Sequence, residues 1–236
     1  KTDLAMDLYE QIPIEIISVD SVQIYKNLDI GSGKPSKEVL KTFPHEMIDI
    51  LECSENYSTA KFQNDCLACI KKAFDANKIP VLVGGSMMYF HHLVNGLSRL
   101  PSVRDEIRYK VQKEFEEKGS KEMHQYLKEI DIEASLKIHE NDSQRIKRAI
   151  EVFKETGKQF SQWQVEQKRE IDKLISSSNL QQIAIKPSDK EMHRETVAKR
   201  FKDMIEKGLI EEVEKILDHK NISRNSQSMK SVGYRQ

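Results

Sequence analysis

The spacing of apolar residues changes along the chain in step with polar punctuation, and these changes predict alternating helices and strands. Residues 2–11 place Leu4, Ala5, Leu8 and Tyr9 at helical spacing, and Pro13 closes the segment because its ring removes an N–H donor. Ile14-Glu15-Ile16-Ile17-Ser18-Val19 is β-branched and apolar enough for a buried strand, ending at Asp20. Turn chemistry follows in Asp29-Ile30-Gly31-Ser32-Gly33-Lys34-Pro35, and Met47-Ile48-Asp49-Ile50-Leu51 is expected as a second strand. Residues 58–77 predict a helix with Ser58 as its N-cap and Phe62, Cys66, Cys69, Ile70 and Phe74 as its apolar stripe. Pro80-Val81-Leu82-Val83 predicts a further buried strand, which leaves through Gly84-Gly85-Ser86 into a helix over 87–94.

Beyond Gly96 the pattern changes. Residues 102 to about 167 are charged and helical with no convincing strand, and helices are expected near 102–118, 120–129 and 142–156, the last opened by Asn141-Asp142-Ser143. Gln182-Ile183-Ala184-Ile185 reads as a return to the sheet. Residues 189–219 are again helical, with Phe201, Ile205, Leu209, Val213 and Leu217 at four-residue spacing. The expected fold class is therefore α/β, a mainly parallel sheet flanked by helices with an all-helical insertion; the expected divisions are 1–98 and 179–236 for the core and 99–178 for the insertion. Ligands of such sheets bind at the carboxyl ends of the strands.

Composition narrows the function classes. The 236 residues carry 38 Lys+Arg against 38 Asp+Glu, so any nucleic-acid contact must come from local basic patches rather than from a general field. No apolar run approaches the ~20 residues that span a bilayer, and three cysteines cannot all pair within the chain, so a reducing, cytoplasmic setting without membrane contact is expected. The chain opens at Lys1-Thr2 with no leading strand, which suggests a segment cut from the front.

Several residue groups could carry chemistry. Lys1-Thr2 is an arbitrary dipeptide taken alone, but at a helix start followed by a strand ending in Asp20 it matches the way a Walker A loop feeds its first βαβ unit. An ammonium and a helix N-terminus would then bind phosphate, and the Thr2 hydroxyl would ligate a magnesium ion. Asp20 either caps a turn or presents an ionised carboxylate at the sheet edge to accept a proton or face a metal. Gly84-Gly85-Ser86 is either a plain turn or a place where backbone N–H groups meet an anion. Cys66-x-x-Cys69 lies on a helical apolar stripe with no matching ligand pair, so a metal or redox role is rejected, and His91-His92 reads as a helix surface pair. Gln144, Arg145 and Arg148, near a helix start that Ile146, Ile150 and Phe153 anchor elsewhere, are either part of a solvated basic face or a nucleic-acid contact, which Arg104, Arg108 and Lys110 could extend.

Taken together, the motifs closely resemble the bacterial tRNA dimethylallyltransferase family, also called isopentenyl-tRNA transferases, over essentially the whole chain. The resemblance rests on Lys1-Thr2, on residues 17–25 and 28–35, on Pro44-His45, on residues 83–89, on residues 141–145 and on Val232-Gly233-Tyr234-Arg235-Gln236. It implies a P-loop NTPase-like core and transfer of a dimethylallyl group from dimethylallyl diphosphate to N6 of adenosine 37 in tRNA. It also implies Asp20, Ser86 and Lys230 as catalytic groups, Lys1, Thr2, Gly84, Gly85 and Ser86 as the diphosphate site, and Mg2+ at Thr2. Implied tRNA contacts are Asp20, Ser21, Val22, Gln23, Ser86, Arg108, Gln144, Arg145, Ile146, Lys147, Arg148, Lys230, Ser231, Val232, Gly233, Tyr234 and Arg235. Many members carry Thr in place of Ser86, which keeps the hydroxyl, and Arg in place of Lys230, which adds a bidentate fork that Lys lacks.

Three other readings compete: a prenyltransferase acting on free adenine nucleotide, a P-loop nucleotide kinase, and a non-catalytic RNA-binding module. A monomer is expected. Against the family pattern the first strand, most of the phosphate loop and the last helices look missing, so residues 1–236 alone are expected to be inactive.

Overall fold

The computed structural model describes residues 1–95, 100–165 and 180–235. Among them the chain divides into two compact units, residues 1–93 with 181–236 and residues 94–180. The expected domain boundaries near 96–99 and 178–179, the end of the charged stretch near 167, and Gln236 lie outside the described residues.

The first unit is built on β1 (Ile14–Val19), which runs parallel to both β2 (His45–Glu46) and β3 (Ile79–Gly84), giving the order β2-β1-β3. The central place of β1 explains its nearly unbroken apolar run. Ile14 and Ile16 point to one face, with Ala5 and Leu8 of α1 (Thr2–Gln11) and with Phe43. Ile17 and Val19 point to the other, with Phe62 and Cys66 of α3 (Thr59–Asp75). Alternation by two, buried on both faces, is what a central parallel strand requires, and each fully buried Ile contributes about 1.5–3 kcal/mol. A short helix, α2 (Lys37–Thr42), precedes β2, and α4 (Met87–Asn95) follows β3. Phe62 of α3 stacks on Tyr89 of α4 with ring centroids 4.1 Å apart, closing the larger core beneath the strand exits.

Three sequence expectations fail here. The second strand is His45–Glu46 rather than 47–51, because Met47 and Asp49 take positive φ (69° and 55°), and Leu51 keeps only an isolated bridge to Tyr25. The apolar spacing there reflects burial of Met47 and Leu51 around a turn. That turn wraps Lys34, whose ammonium bonds Asp29 Oδ1 (2.6 Å), Asp49 Oδ1 (2.5 Å) and the Tyr25 carbonyl (2.9 Å). Residues 182–185 are not a strand: they pair with no strand among the described residues, and Ile183 and Ile185 are exposed. Local alternation specifies two faces but supplies no partner edge. The helix expected over 189–219 is two, α9 (Lys190–Glu206) and α10 (Leu209–Leu217), separated at Gly208, whose φ of 95° ends an α-helix.

The second unit is all-helical. The long α5 (Asp105–Ile130) is interrupted at Gly119 (φ 77°), where the sequence separates two helices. Then come α6 (Ile132–Lys137), α7 (Ser143–Thr156) and α8 (Phe160–Val165). Asp131, buried, accepts from the N–H groups of Ala134 (3.0 Å) and Ser161 (2.8 Å), tying the starts of α6 and α8 together. Asp142 caps α7 and Gly157, at φ 69°, ends it. The core of this unit holds Val111, Met123, Leu127, Ile138, Ile146 and Ile150.

Candidate active site at the strand exits

The site begins where β1 and β3 end in register, Val19 beside Gly84. A Cβ on Gly84 would run into the Val19 carbonyl, so only glycine lets the two exits lie this close. Lys1, the N-cap of α1, donates from Nζ to the Gly84 carbonyl at 3.1 Å, and a Cβ on Gly85 would lie 3.3 Å from the same ammonium. The Gly84-Gly85 exit is thus overlaid by a cation. Ser86 Oγ accepts from the Ser21 N–H at 3.0 Å and lies 3.3 Å from Ser21 Oγ, joining the β3 exit to the turn after β1.

That turn is held by Asp20. Its Oδ1 accepts from the N–H groups of Val22 (2.9 Å) and Gln23 (3.3 Å), an Asx turn that fixes the carboxylate. Its Oδ2 accepts no hydrogen bond from the described residues. Tyr89 lies close enough that burial, with the Asp20 charge adding to it, pushes its phenol up to about 12. It stays neutral near physiological pH. Gln23 is anchored at both ends: Oε1 accepts from Ser18 Oγ (3.2 Å), and Nε2 donates to the Ser32 and Gly33 carbonyls at 3.5 and 3.4 Å.

The loop that receives Gln23 depends on a residue the sequence did not single out. Glu212, on α10, accepts from three successive N–H groups, Asp29 (3.1 Å), Ile30 (2.9 Å) and Gly31 (3.2 Å), and from Tyr234 Oη (2.6 Å). Three N–H groups in a row form an anion-binding nest, filled here by the chain's own carboxylate. The Tyr234 ring covers Gly31, where a Cβ would come within 2.7 Å of it, and Gly233, at φ 95°, passes so close that its Cβ would lie 2.7 Å from the Gly31 carbonyl. Burial and then the Glu212 carboxylate hold the Tyr234 phenol protonated well above its ordinary range. Glu212→Gln would turn an amide NH2 toward donors, and the variant is expected to lose about 1–3 kcal/mol of stability, read as a lower midpoint in urea unfolding. Nothing local marks this role: Glu211 and Glu212 occupy the first turn of a helix, where an acid already satisfies the helix dipole.

The structure therefore brings Lys1, Asp20, Ser21, Gly84, Gly85 and Ser86 into one cluster, with Thr2 on the first turn of α1. Gln23 links it to the loop at 29–33, against which Gly233 and Tyr234 pack. Val22 packs partly into the core, Val232 is 80% exposed, and Ser231 accepts from the Tyr234 and Arg235 N–H groups through its carbonyl. Lys230 and Arg235 are exposed, and their side chains form no hydrogen bond or ion pair with the described residues; no contact brings Lys230 to the Lys1–Ser86 cluster.

In the helical unit Arg108 pairs with Asp105 (3.6 Å) and Arg145 with Asp142 (3.3 Å). Lys147 donates to Gln112 Oε1 (2.9 Å), and Arg148 to the Pro101 carbonyl (3.0 Å). Gln144 lines an open groove of about 480 Å³ with His139, Asn141, Asp142 and Ser143. Ile146 needs correcting as a contact: it is fully buried in the core of the unit, so its side chain is closed to any RNA. Cys66 is also fully buried, its thiol pushed up to about 12 by burial, and no three His, Cys, Asp or Glu converge on a metal position among the described residues. No helix among them is long and apolar enough to cross a membrane.

A parallel sheet whose strand exits carry a glycine turn, an overlying lysine and a following helix N-terminus defines a fold of the P-loop NTPase-like class. The family model described as IPP transferase matches residues 23–236, and the chain belongs to that family of prenyl-transferring enzymes. It is 39% identical to tRNA dimethylallyltransferase 2 of Hahella chejuensis, over all of this chain and 74% of that protein. It is 40% identical to tRNA dimethylallyltransferase of Thioalkalivibrio sulfidiphilus, over all of this chain and 72% of that one. Among solved structures, a tRNA isopentenylpyrophosphate transferase from Staphylococcus epidermidis superposes with a TM-score of 0.62 at 29% identity, over 99% of this chain and 74% of that one.

Proposed function

We propose that this protein transfers the dimethylallyl group of dimethylallyl diphosphate to N6 of adenosine 37 in tRNA, releasing diphosphate. The observation that carries this reading is the Asp20 carboxylate, one oxygen pinned by two N–H groups and the other unengaged, beside the cradle of Lys1, Gly84, Gly85 and Ser86. The exocyclic amine of adenine is a weak nucleophile because its lone pair is delocalised into the ring. As N6 attacks the allylic carbon, the N6–C bond forms and the C–O bond to diphosphate breaks. The electron pair leaves with the diphosphate oxygen, and the N6 proton passes to Asp20 Oδ2. Lys1, the Gly84-Gly85 backbone and Ser86 stabilise the charge growing on the leaving group.

The metal ligands this edge offers are hydroxyls and the Asp20 carboxylate, and no three His, Cys, Asp or Glu converge among the described residues, which suits a divalent cation shared with substrate oxygens and water rather than one caged by the protein. Mg2+ fits that description, with the Thr2 hydroxyl as its protein ligand, and when bound it would neutralise part of the diphosphate charge. The tRNA would be held by Asp20 to Gln23, Ser86 and residues 230–235 in the core unit. In the helical unit it would be held by Arg108, Gln144, Arg145, Lys147 and Arg148, with Ile146 contributing only backbone. The protein would work as a monomer in the cytoplasm.

The test is incubation of the full-length protein with labelled dimethylallyl diphosphate, Mg2+ and unmodified tRNA, followed by nucleoside analysis. Label on adenosine 37, lost on chelation and absent when AMP replaces tRNA, is the expected result. Label on AMP alone, or ATP-dependent phosphorylation without prenyl transfer, would overturn the reading.

A further inference from the structure

We infer that Gln227 is a positioning residue for the RNA substrate, fastening the strap at 227–234 so that Lys230 is held where the RNA binds; this rests on the reading above that residues 230–235 hold tRNA. The first observation is how Gln227 is bound. Its side-chain amide accepts from the Tyr57 N–H at 2.9 Å and donates to the Tyr57 carbonyl at 2.7 Å. One side chain thus pairs with both polar groups of one residue, as a neighbouring strand would, because an amide carries a donor and an acceptor side by side. Ser228, next in the chain, donates from Oγ to the Cys53 carbonyl at 2.7 Å.

The second observation is that the strap is fastened at its other end as well. Tyr234 Oη donates to Glu212 (2.6 Å) and accepts from the Ser32 N–H (3.2 Å), while Gly233 passes against the Gly31 carbonyl. Between the two fastenings Ser228 and Met229 are buried, and a single 3₁₀ turn over Ser228–Lys230 closes as the Ser231 N–H donates to the Ser228 carbonyl at 3.2 Å. Lys230 and Val232 stand in solvent, and the Lys230 side chain forms no hydrogen bond or ion pair with the described residues. A bridge fixed at both ends carries its exposed cation in one place, and a backbone already ordered loses less freedom when a ligand binds it.

The third is what the two fastenings rest on. The loop that receives Gln227 is paired with the turn after Asp20: the Asp49 N–H donates to the Gln23 carbonyl (3.1 Å), the Ile50 N–H to the Ile24 carbonyl (2.8 Å) and the Lys26 N–H to the Leu51 carbonyl (2.8 Å). Cys53 Sγ adds a bond to the Lys26 carbonyl at 3.1 Å. The loop that receives Tyr234 is held by the Gln23 side chain through the Ser32 and Gly33 carbonyls. Both footings of the strap are therefore tied to residues 23–26, and Gln227 sets Lys230 in register with that turn. Among the described residues the Gln227 side chain bonds neither Asp20 nor the Lys1–Ser86 cluster, so its effect falls on RNA binding rather than on the diphosphate or the chemical step.

Gln227→Ala and Gln227→Met in the full-length protein test this, each alone and combined with Lys230→Ala, with an anticodon stem-loop as the binding probe and thermal unfolding confirming that the variants fold. Met keeps the length of the side chain without its donor and acceptor. Either single change should weaken binding and raise the KM for tRNA roughly three- to tenfold, the range expected for lost hydrogen bonds, with kcat at saturating tRNA and the KM for dimethylallyl diphosphate unchanged. In the Lys230→Ala background the same changes should cost less than about twofold, because the contact they position is already gone. A merely structural role would lower the unfolding temperature or the active fraction and leave the KM for tRNA in place. An unchanged KM for tRNA, or an equal loss in both backgrounds, in a protein whose unaltered form prenylates tRNA overturns the Gln227 assignment alone. A raised KM for dimethylallyl diphosphate or a reduced kcat overturns it too, by moving the effect to the reaction centre, and failure of the unaltered protein to bind and prenylate tRNA overturns the assignment together with the functional reading.

Discussion

Asp20→Ala is expected to slow prenyl transfer to tRNA by about 10²–10⁴-fold, the contribution of a positioned general base. Alanine also removes the acceptor that holds the Val22 and Gln23 N–H groups, so the variant alone does not separate chemistry from positioning. Asp20→Asn does. Its side-chain oxygen can still accept both bonds and keep the turn, yet its amide cannot take the N6 proton. If proton transfer is the role, Asn and Ala should be similarly slow in single-turnover assays with tRNA bound. If Asn retains near-normal rates, Asp20 shapes the turn and is not the base.

Gly84→Ala is the substitution expected to damage the fold most at the site. The new methyl would enter the Val19 carbonyl, and a backbone atom cannot yield as a side-chain tip can. Relief requires the ends of β1 and β3 to separate, at about 3 kcal/mol, the upper end for overpacking a well-packed interior. The same movement would pull Ser86 away from Ser21 and Asp20. Chemical unfolding should show a lowered midpoint, and any folded fraction should have little activity. A stable, active Gly84→Ala protein would show that the two exits are not held together as the structure indicates. Gly85→Ala is the control, since its Cβ meets only the flexible tip of Lys1, at 3.3 Å.

Much of the site was legible because its residues carry local signals. Asp20 ends a strand whose apolar run announces burial on both faces, and Gly84-Gly85-Ser86 ends another, so both could be placed at the carboxyl edge before any coordinates. Lys1-Thr2 was legible only in company. What could not be read were roles defined by distant partners. Glu212 fills a nest some 180 positions away in sequence, and Gln227 pairs with a residue 170 positions away. The Tyr234 hydroxyl accepts from the Ser32 N–H and donates to Glu212, partners that nothing adjacent in the sequence announces. Ile146 was carried along by its neighbours, although the helical period that exposes Arg145 turns the next residue inward.

The errors of fold have the same origin. Residues 47–51 and 182–185 have the composition of strands, but a strand is a relation between two backbones. Two positive-φ residues around Lys34 turn the first into a loop, and no described edge pairs with the second. By itself the sequence determined the elements whose cause is local: the central strand, the capped helices, the division at Gly119 and the family to which the chain belongs. The tertiary structure decided which polar groups are spent on the fold and which remain for substrate, because that depends on atoms that only folding brings within hydrogen-bonding distance.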